Sequence, residues 1–247
     1  MTLSTWARVS RTKMGVAETP HLGMEHQTIN AYGNEYRLDE YGFDWLLQHE
    51  FAHEWFGNQV TNADWDDMWL HEGYGAYMQP LYSQWLHGDM AYLARLFEQR
   101  KTVKNAFPIV SGRTQCEHIV YHPEHGPGGD IYVKGSLVLH SLRALIGDAA
   151  FFAATRRLVY GTADPKPGAF VPRVASTRDF IADVKADADL RRVPFIFLTA
   201  THWDDEARRR SISVQVSVRR TSMPRTGRPS KRNLCNSDMV PDCRSAP

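Results

Sequence analysis

No apolar run in the 247 residues approaches the ~18 that a membrane-crossing helix needs, so no membrane span is expected. Cysteine is scarce. Cys116, Cys235 and Cys243 are too few for a disulfide framework, and no Cys-x-x-Cys pair occurs. The first fourteen residues hold Arg8, Arg11 and Lys13 but no apolar h-region. A secretory leader is therefore absent from the chain as given, and a cytoplasmic location is the expectation. Residues 204–247 contain no aromatic side chain and no histidine; all 28 aromatics and all 11 histidines lie at or before Trp203. The same stretch carries 10 Lys and Arg against 5 Asp and Glu, whereas residues 1–203 carry 19 against 23. Only the first composition can build a core. The second reads as a basic tail, and cations without aromatics or a folded motif do not point to nucleic-acid binding.

What is present is an ordinary globular composition. A hydrophobic share of 43 % with 23 % charged residues excludes disorder, collagen and coiled coil as the main state. Residues 22–36 read as a strand, with the β-prone run Gln27 to Tyr32 at its centre. Residues 41–56 read as a helix whose apolar stripe is Phe43, Leu47, Phe51 and Trp55, stopped by Gly57-Asn58. A second helix is predicted from Asp66 or Asp67, kinked or ended by Pro80. A third spans 89–106. Residues 111–129 form a loop rich in His and Gly. A helix opens at Asp130 and closes at Gly147, with Leu137, Val138, Leu142 and Leu145 as its apolar face, and another runs from Asp148 to Tyr160. Ser176-x-x-Asp179 predicts a capping box before a last helix ending near Leu190. Short strands are expected at 193–198 and 211–218, and disorder after Arg219. The fold class is α+β, mainly helical with a small N-terminal sheet.

The strongest chemical signal is His49-Glu50-Phe51-Ala52-His53. Histidines at i and i+4 stand one above the other on a helix face, so both imidazoles can reach one ion. Glu50 lies beside them, within reach of a water. Glu72 follows His53 after 18 residues. A helix, a turn and a return helix need about that length to bring a carboxylate back to the histidines. Two histidines, one glutamate and an open fourth position make a catalytic zinc site with one Zn2+ per chain.

These residues resemble the gluzincin zinc aminopeptidases related to aminopeptidase N, including the membrane alanyl type. Three further segments agree. Gly23-Met24-Glu25-His26 resembles the family's Gly-x-Met-Glu-Asn strand, Trp55 to Thr61 the stretch after its zinc helix, and Tyr132-Val133-Lys134-Gly135 the segment of its catalytic tyrosine. The resemblance covers roughly residues 14–190. It implies a thermolysin-like catalytic domain that hydrolyses the N-terminal peptide bond of peptides by a zinc-activated water. On it, His49, His53 and Glu72 hold the metal. Glu50 takes the water's proton and passes it to the leaving amine. Tyr132 donates a hydrogen bond to the oxyanion. Glu25 binds the substrate's free α-ammonium, and Gly23 and Met24 pair with the substrate as an added strand.

Departures from the family pattern are also legible. His26 and His71 stand where the family commonly has asparagine, and neither position implies contact with the ion. His118, His122 and His125 could hold a second metal, but a solvated loop is the better reading. Members of the family place a β-rich domain and tens of catalytic-domain residues before the Gly-x-Met-Glu strand, against 22 residues here. The expected organisation is therefore a partial catalytic domain over 1–192 and an unrelated basic tail over 193–247, with a reading-frame slip or gene-model error near residue 193. Edge exposure around Gly23 to Tyr32 and uncovered helix faces are expected to favour association and low activity. The alternatives are an inactive or zinc-binding fragment, or a gluzincin peptidase without strict N-terminal specificity. Oligomeric state is not legible.

Overall fold

The computed structural model describes residues 14–166 and 171–187. A three-stranded sheet opens the chain: β1 (Gly15–Glu18), β2 (Gly23–Met24) and β3 (Ile29–Tyr32). The helix α1 (Trp45–Ala52), the strand β4 (Val60–Asn62) and a 3-10 turn at Trp65–Asp67 lead into α2 (Trp69–His87). Then come α3 (Asp89–Thr102), the single turn α4 (Glu117–Val120), α5 (Asp130–Ile146) and α6 (Asp148–Tyr160). A last strand, β5 (Arg173–Ala175), pairs parallel with β4 before α7 (Thr177–Lys185). The mixture of helices with small sheets is the α+β class that the sequence predicts.

The expected single strand over 22–36 is two strands. Thr28 takes a left-handed φ of 72°, which turns the chain between β2 and β3. They pair antiparallel, with Gly23 opposite Tyr32 and Met24 opposite Ala31. β1, which the sequence reading did not foresee, joins β3 in parallel, so β3 is central and the short β2 is an edge.

The helix expected over 41–56 is shorter, and the expected stripe is covered unevenly: Phe43, ahead of the helix, is buried, and Phe51 and Trp55 are half-buried. Asp44 caps α1 by accepting from Leu47 N at 3.0 Å, and the same carboxylate takes the Tyr32 hydroxyl, which ties β3 to the helix start. The buried residues of α1 are Leu46, His49, Glu50 and Ala52. Leu47 is 36 % exposed. With Phe51 and Trp55 it lines an open cavity of about 970 Å³.

The core gathers on α2. Phe56 stacks on Tyr74 with centroids 4.1 Å apart, and Phe180 meets both Trp69 and Tyr74 edge-on. α2 crosses α5 in backbone contact. A Cβ on Gly73 would lie 3.0 Å from Gly135 Cα, and one on Gly135 would lie 2.9 Å from Gly73 Cα. Pro80, expected to kink or end the helix, does not end it, and α2 runs on to His87. Proline removes the N–H that Ala76 O would accept. Gln99 Nε2 on α3 donates to that carbonyl instead at 2.9 Å, while Gln99 Oε1 takes the Ser136 hydroxyl at 2.7 Å. The aspartates expected to cap α2 serve other segments. Asp67 Oδ1 accepts from Thr177 N, and both Asp66 oxygens accept from the backbone of Ser111 and Gly112. The helices at Asp130–Ile146 and Asp148–Tyr160 stand where predicted, although Leu145 is half exposed and Ile131 and Leu139 carry the core contacts instead. The Ser176–Asp179 capping box is present. The strands expected at 193–198 and 211–218, and the tail, lie outside the described residues.

Candidate metal centre and active site

Two helices and a strand edge converge on one buried group of polar atoms. His49 Nε2 and His53 Nε2 are 3.1 Å apart. Glu72 Oε2, from the first turn of α2, lies 3.2 Å from His49 Nε2 and 3.4 Å from His53 Nε2. All three residues are buried, His53 to 1 % exposure. His53 closes α1 as its C-cap and bonds the Phe56 carbonyl through Nδ1 at 2.8 Å. A carbonyl only accepts, so Nδ1 carries a proton, and Nε2 is the ring nitrogen turned to the cluster. Glycine lets α2 come this close. A Cβ on Gly75 would sit 2.8 Å from His49 Cε1 and 3.3 Å from His53 Cε1.

The electrostatics follow from burial and pairing. Burial alone would lower both imidazoles and raise the carboxylate. His49 is lowered accordingly. His53 is pulled down by burial, but its bond and charge interaction with Glu72 outweigh this and lift it to about 9. Glu72, which burial pushes up, is held well below the usual carboxylate range by the two histidines. Glu50 has no such cation bonded to it. Burial dominates and raises it to about 7.

Residues with metal-ligating atoms form a second group, Glu25, Glu50 and His53, all within 4.8 Å of one another. Glu25 is half-buried just beyond β2, its carbonyl accepting from Asn58 Nδ2 at 3.1 Å. Gly23 packs directly against Glu50, since a Cβ there would fall 2.1 Å from Glu50 Oε1. Met24 leaves half its side chain exposed beside it. Tyr132, in the first turn of α5, donates its hydroxyl to Glu72 Oε1 at 2.9 Å, with its ring 5.8 Å from that of His49. Burial and the Glu72 charge push its phenol up, so it stays a neutral donor. All eight residues singled out in the sequence therefore meet at one place.

His71 does not join the cluster. Its Nε2 accepts from Asn62 N at 2.9 Å, pinning β4 to α2. Burial, then the charge on His53, press it down to about 4 and keep it neutral. His122 and His125 stack with centroids 4.5 Å apart, but none of the three loop histidines belongs to a possible metal group among the described residues.

Sequence reasoning missed Gly75 and Tyr121. Gly73-Tyr74-Gly75 carried a signal, because two glycines inside a helix cost about 1 kcal/mol each unless close packing needs them. Tyr121 carried none. It sits in an irregular segment, yet its hydroxyl donates to Glu72 Oε1 at 3.1 Å.

Comparison with known proteins places this geometry. Residues 16–163 match the peptidase family M1 domain. A membrane alanyl aminopeptidase of Heliothis virescens is 28 % identical over 184 residues, 65 % of this chain and 18 % of that protein. An aminopeptidase N of Lactococcus lactis is 33 % identical over 112 residues, 43 % of this chain and 13 % of that one. Among solved structures, an M1 zinc metallopeptidase from Deinococcus radiodurans is 29 % identical with a TM-score of 0.58, covering 74 % of this chain and 38 % of that one. A mutant M1 zinc metallopeptidase from the same organism, bound to a Tyr-Ser-Ala substrate, is 28 % identical with a TM-score of 0.55, over 71 % of this chain and 36 % of that one. The chain thus spans under a fifth of the length of these curated relatives.

Proposed function

The chain belongs to peptidase family M1, and from that premise we propose that it carries the catalytic centre of a zinc aminopeptidase, with the thermolysin-like arrangement of an active-site helix and a return helix. The observation that carries this reading is the convergence of His49 Nε2, His53 Nε2 and Glu72 Oε2 at 3.1–3.4 Å. Tetrahedral bonds of about 2.0–2.2 Å space neighbouring ligand atoms by about 3.3–3.6 Å. The donor set of two imidazoles and one carboxylate, with Nε2 of both histidines facing Glu72 Oε2, fits zinc. His49, His53 and Glu72 would hold it. Zinc there supplies Lewis acidity toward water and the peptide carbonyl.

The remaining work falls to the chain's own groups. Glu50, buried beside the ligand set, accepts a proton from the attacking water and returns it to the leaving amine. The Tyr132 hydroxyl donates to the substrate oxygen as negative charge grows on it. Glu25 receives the free α-ammonium, a cation beside a half-buried carboxylate. The β2 edge at Gly23–Met24 aligns the substrate backbone. The peptide bound to the Deinococcus radiodurans metallopeptidase supports peptides as the substrate class here.

Hydrolysis of an aminoacyl chromogenic substrate, with and without a chelator, tests this. The expected result is turnover that chelation abolishes, zinc restores and N-terminal blocking of the substrate prevents. Equal turnover of blocked and free substrates would remove the aminopeptidase assignment.

A further inference from the structure

Glu72 uses its two oxygens for different partners. Oε2 faces the two imidazoles at 3.2 and 3.4 Å. Oε1 takes two phenols, Tyr132 at 2.9 Å and Tyr121 at 3.1 Å. In the proposed reaction Tyr132 must leave Oε1 to reach the substrate oxygen. Were Tyr132 the sole donor, its departure would strand a buried anionic oxygen, the costliest kind of unmade hydrogen bond. Tyr132 would then be held on Glu72 when substrate needs it.

We infer that Tyr121 is a positioning residue: it keeps Glu72 Oε1 hydrogen-bonded while Tyr132 turns to the substrate, and it aims Oε2 at the histidines. The assignment rests on the proposed zinc aminopeptidase reading. Its support is the way the backbone around Tyr121 is fixed. Tyr121 closes α4, its N–H bonding Glu117 O at 3.0 Å, and its ring lies edge-on to Trp65 with centroids 6.3 Å apart. Gly128 N reaches back to Val120 O at 2.9 Å, and Gly126 packs so tightly that a Cβ would lie 1.7 Å from Ile119 O. Upstream, Asp66 binds the backbone of Ser111 and Gly112, and Asp64 binds Gln115 N at 2.9 Å. The segment is strapped to the turn that starts α2, the helix that bears Glu72. Tyr121 is therefore held in register with the carboxylate it bonds, a partner outside the ligand set of the kind that orients a metal-binding side chain.

The test is a cycle of Tyr121→Phe, Tyr132→Phe and the double variant in the full chain, read by zinc affinity in competition with a chelator, by kcat and KM, and by metal-free thermal unfolding. Tyr121→Phe keeps the ring, so the metal-free transition should stay at the parent's temperature. Its zinc affinity should fall about 10-fold, within the range for removing such a partner, and kcat should fall with KM nearly unchanged. Tyr132→Phe should keep zinc affinity within about threefold, because Tyr121 still serves Oε1, and the double variant should lose more than the two single losses multiplied. Zinc affinity and kcat in Tyr121→Phe within about twofold of the parent would overturn the inference. A fall matched by a lower metal-free unfolding temperature would also overturn it, by assigning Tyr121 a purely structural role. A parent chain that holds no zinc would bring down the proposed function itself, and this inference with it.

Discussion

The two faces of α1 reverse the usual rule of burial. On one face His49, Glu50 and His53 are buried, at 8 %, 5 % and 1 % exposure. On the other, Leu47, Phe51 and Trp55 line an open cavity of about 970 Å³ together with α2 and α6 residues such as Leu81, Trp85 and Phe152. Polar groups go inside cheaply only when their partners are in place, which holds for the histidines but not for Glu50, whose burial raises it. Here the partners come from the same chain: Glu72 for the histidines, Phe56 O for His53, and Tyr121 and Tyr132 for Glu72. The buried face is thus held by specific bonds and close glycine contacts, and the open face by little. Changes on the first should disturb chemistry, and changes on the second only solution behaviour.

The largest effect should come from removing a ligand. His53→Ala leaves two protein ligands, too few to hold zinc firmly, so metal analysis after gel filtration should find no stoichiometric zinc where the parent retains it. Glu50→Gln is gentler on the metal and as severe on the reaction. It should keep zinc and lose turnover by on the order of 10²–10⁴, since the amide cannot accept the water's proton. Initial-rate kinetics on the zinc-loaded variant check this.

The same substitution should act in the opposite direction on the metal-free protein. Glu50 is raised to about 7 by burial from an ordinary 4.5. Below pH 4.5 the carboxyl is protonated in both folded and unfolded states and costs nothing. As pH rises toward 7 the folded state must bury a charge, and above 7 the cost is complete. Glu50→Gln has no such charge, so the chelated variant should exceed the parent in stability by about 1–3 kcal/mol at pH 8 and by little at pH 4.5. Denaturant unfolding at both pH values gives the comparison.

Gly73→Ala inserts a methyl group 3.0 Å from the Gly135 backbone, where neither helix can yield cheaply. About 1–3 kcal/mol of stability should be lost to overpacking, seen as a lower denaturant midpoint at unchanged m-value. The smallest effect belongs to the open face. Leu47→Gln should leave zinc affinity unchanged and stability within about 0.5 kcal/mol, while light scattering shows less self-association. A loss of zinc in this variant would mean the two faces of α1 are coupled.

What the sequence made legible follows the same division. The chemistry of α1 was readable because HExxH spacing and the return to Glu72 are local rules of helix geometry. His49, His53 and Glu72 meet for that reason, whereas Tyr132, Glu25, Gly23 and Met24 were singled out only by the family resemblance. Tyr121 was not readable, because its place on Glu72 depends on how Asp64 and Asp66 strap an irregular segment, which no periodicity records. Pro80 did not end α2 for the same kind of reason: the sequence shows a missing donor, and only the tertiary structure shows Gln99 replacing it. The apolar stripe was a partial guide to burial: Phe43 is buried and Trp55 packs against the core, but Leu47 is exposed, and the pattern did not show that His49, Glu50 and His53 are buried as well.

The chemistry proposed for this chain depends on His49, His53 and Glu72 holding one zinc ion. Zinc K-edge X-ray absorption on the full chain loaded with one equivalent tests it most directly. The predicted spectrum has only nitrogen and oxygen neighbours at about 2.0–2.2 Å, with the outer-shell scattering of two imidazoles, which is lost in His53→Ala because that variant does not hold the ion. Sulfur at about 2.3 Å, or a parent spectrum of oxygen alone without imidazole scattering, would contradict it.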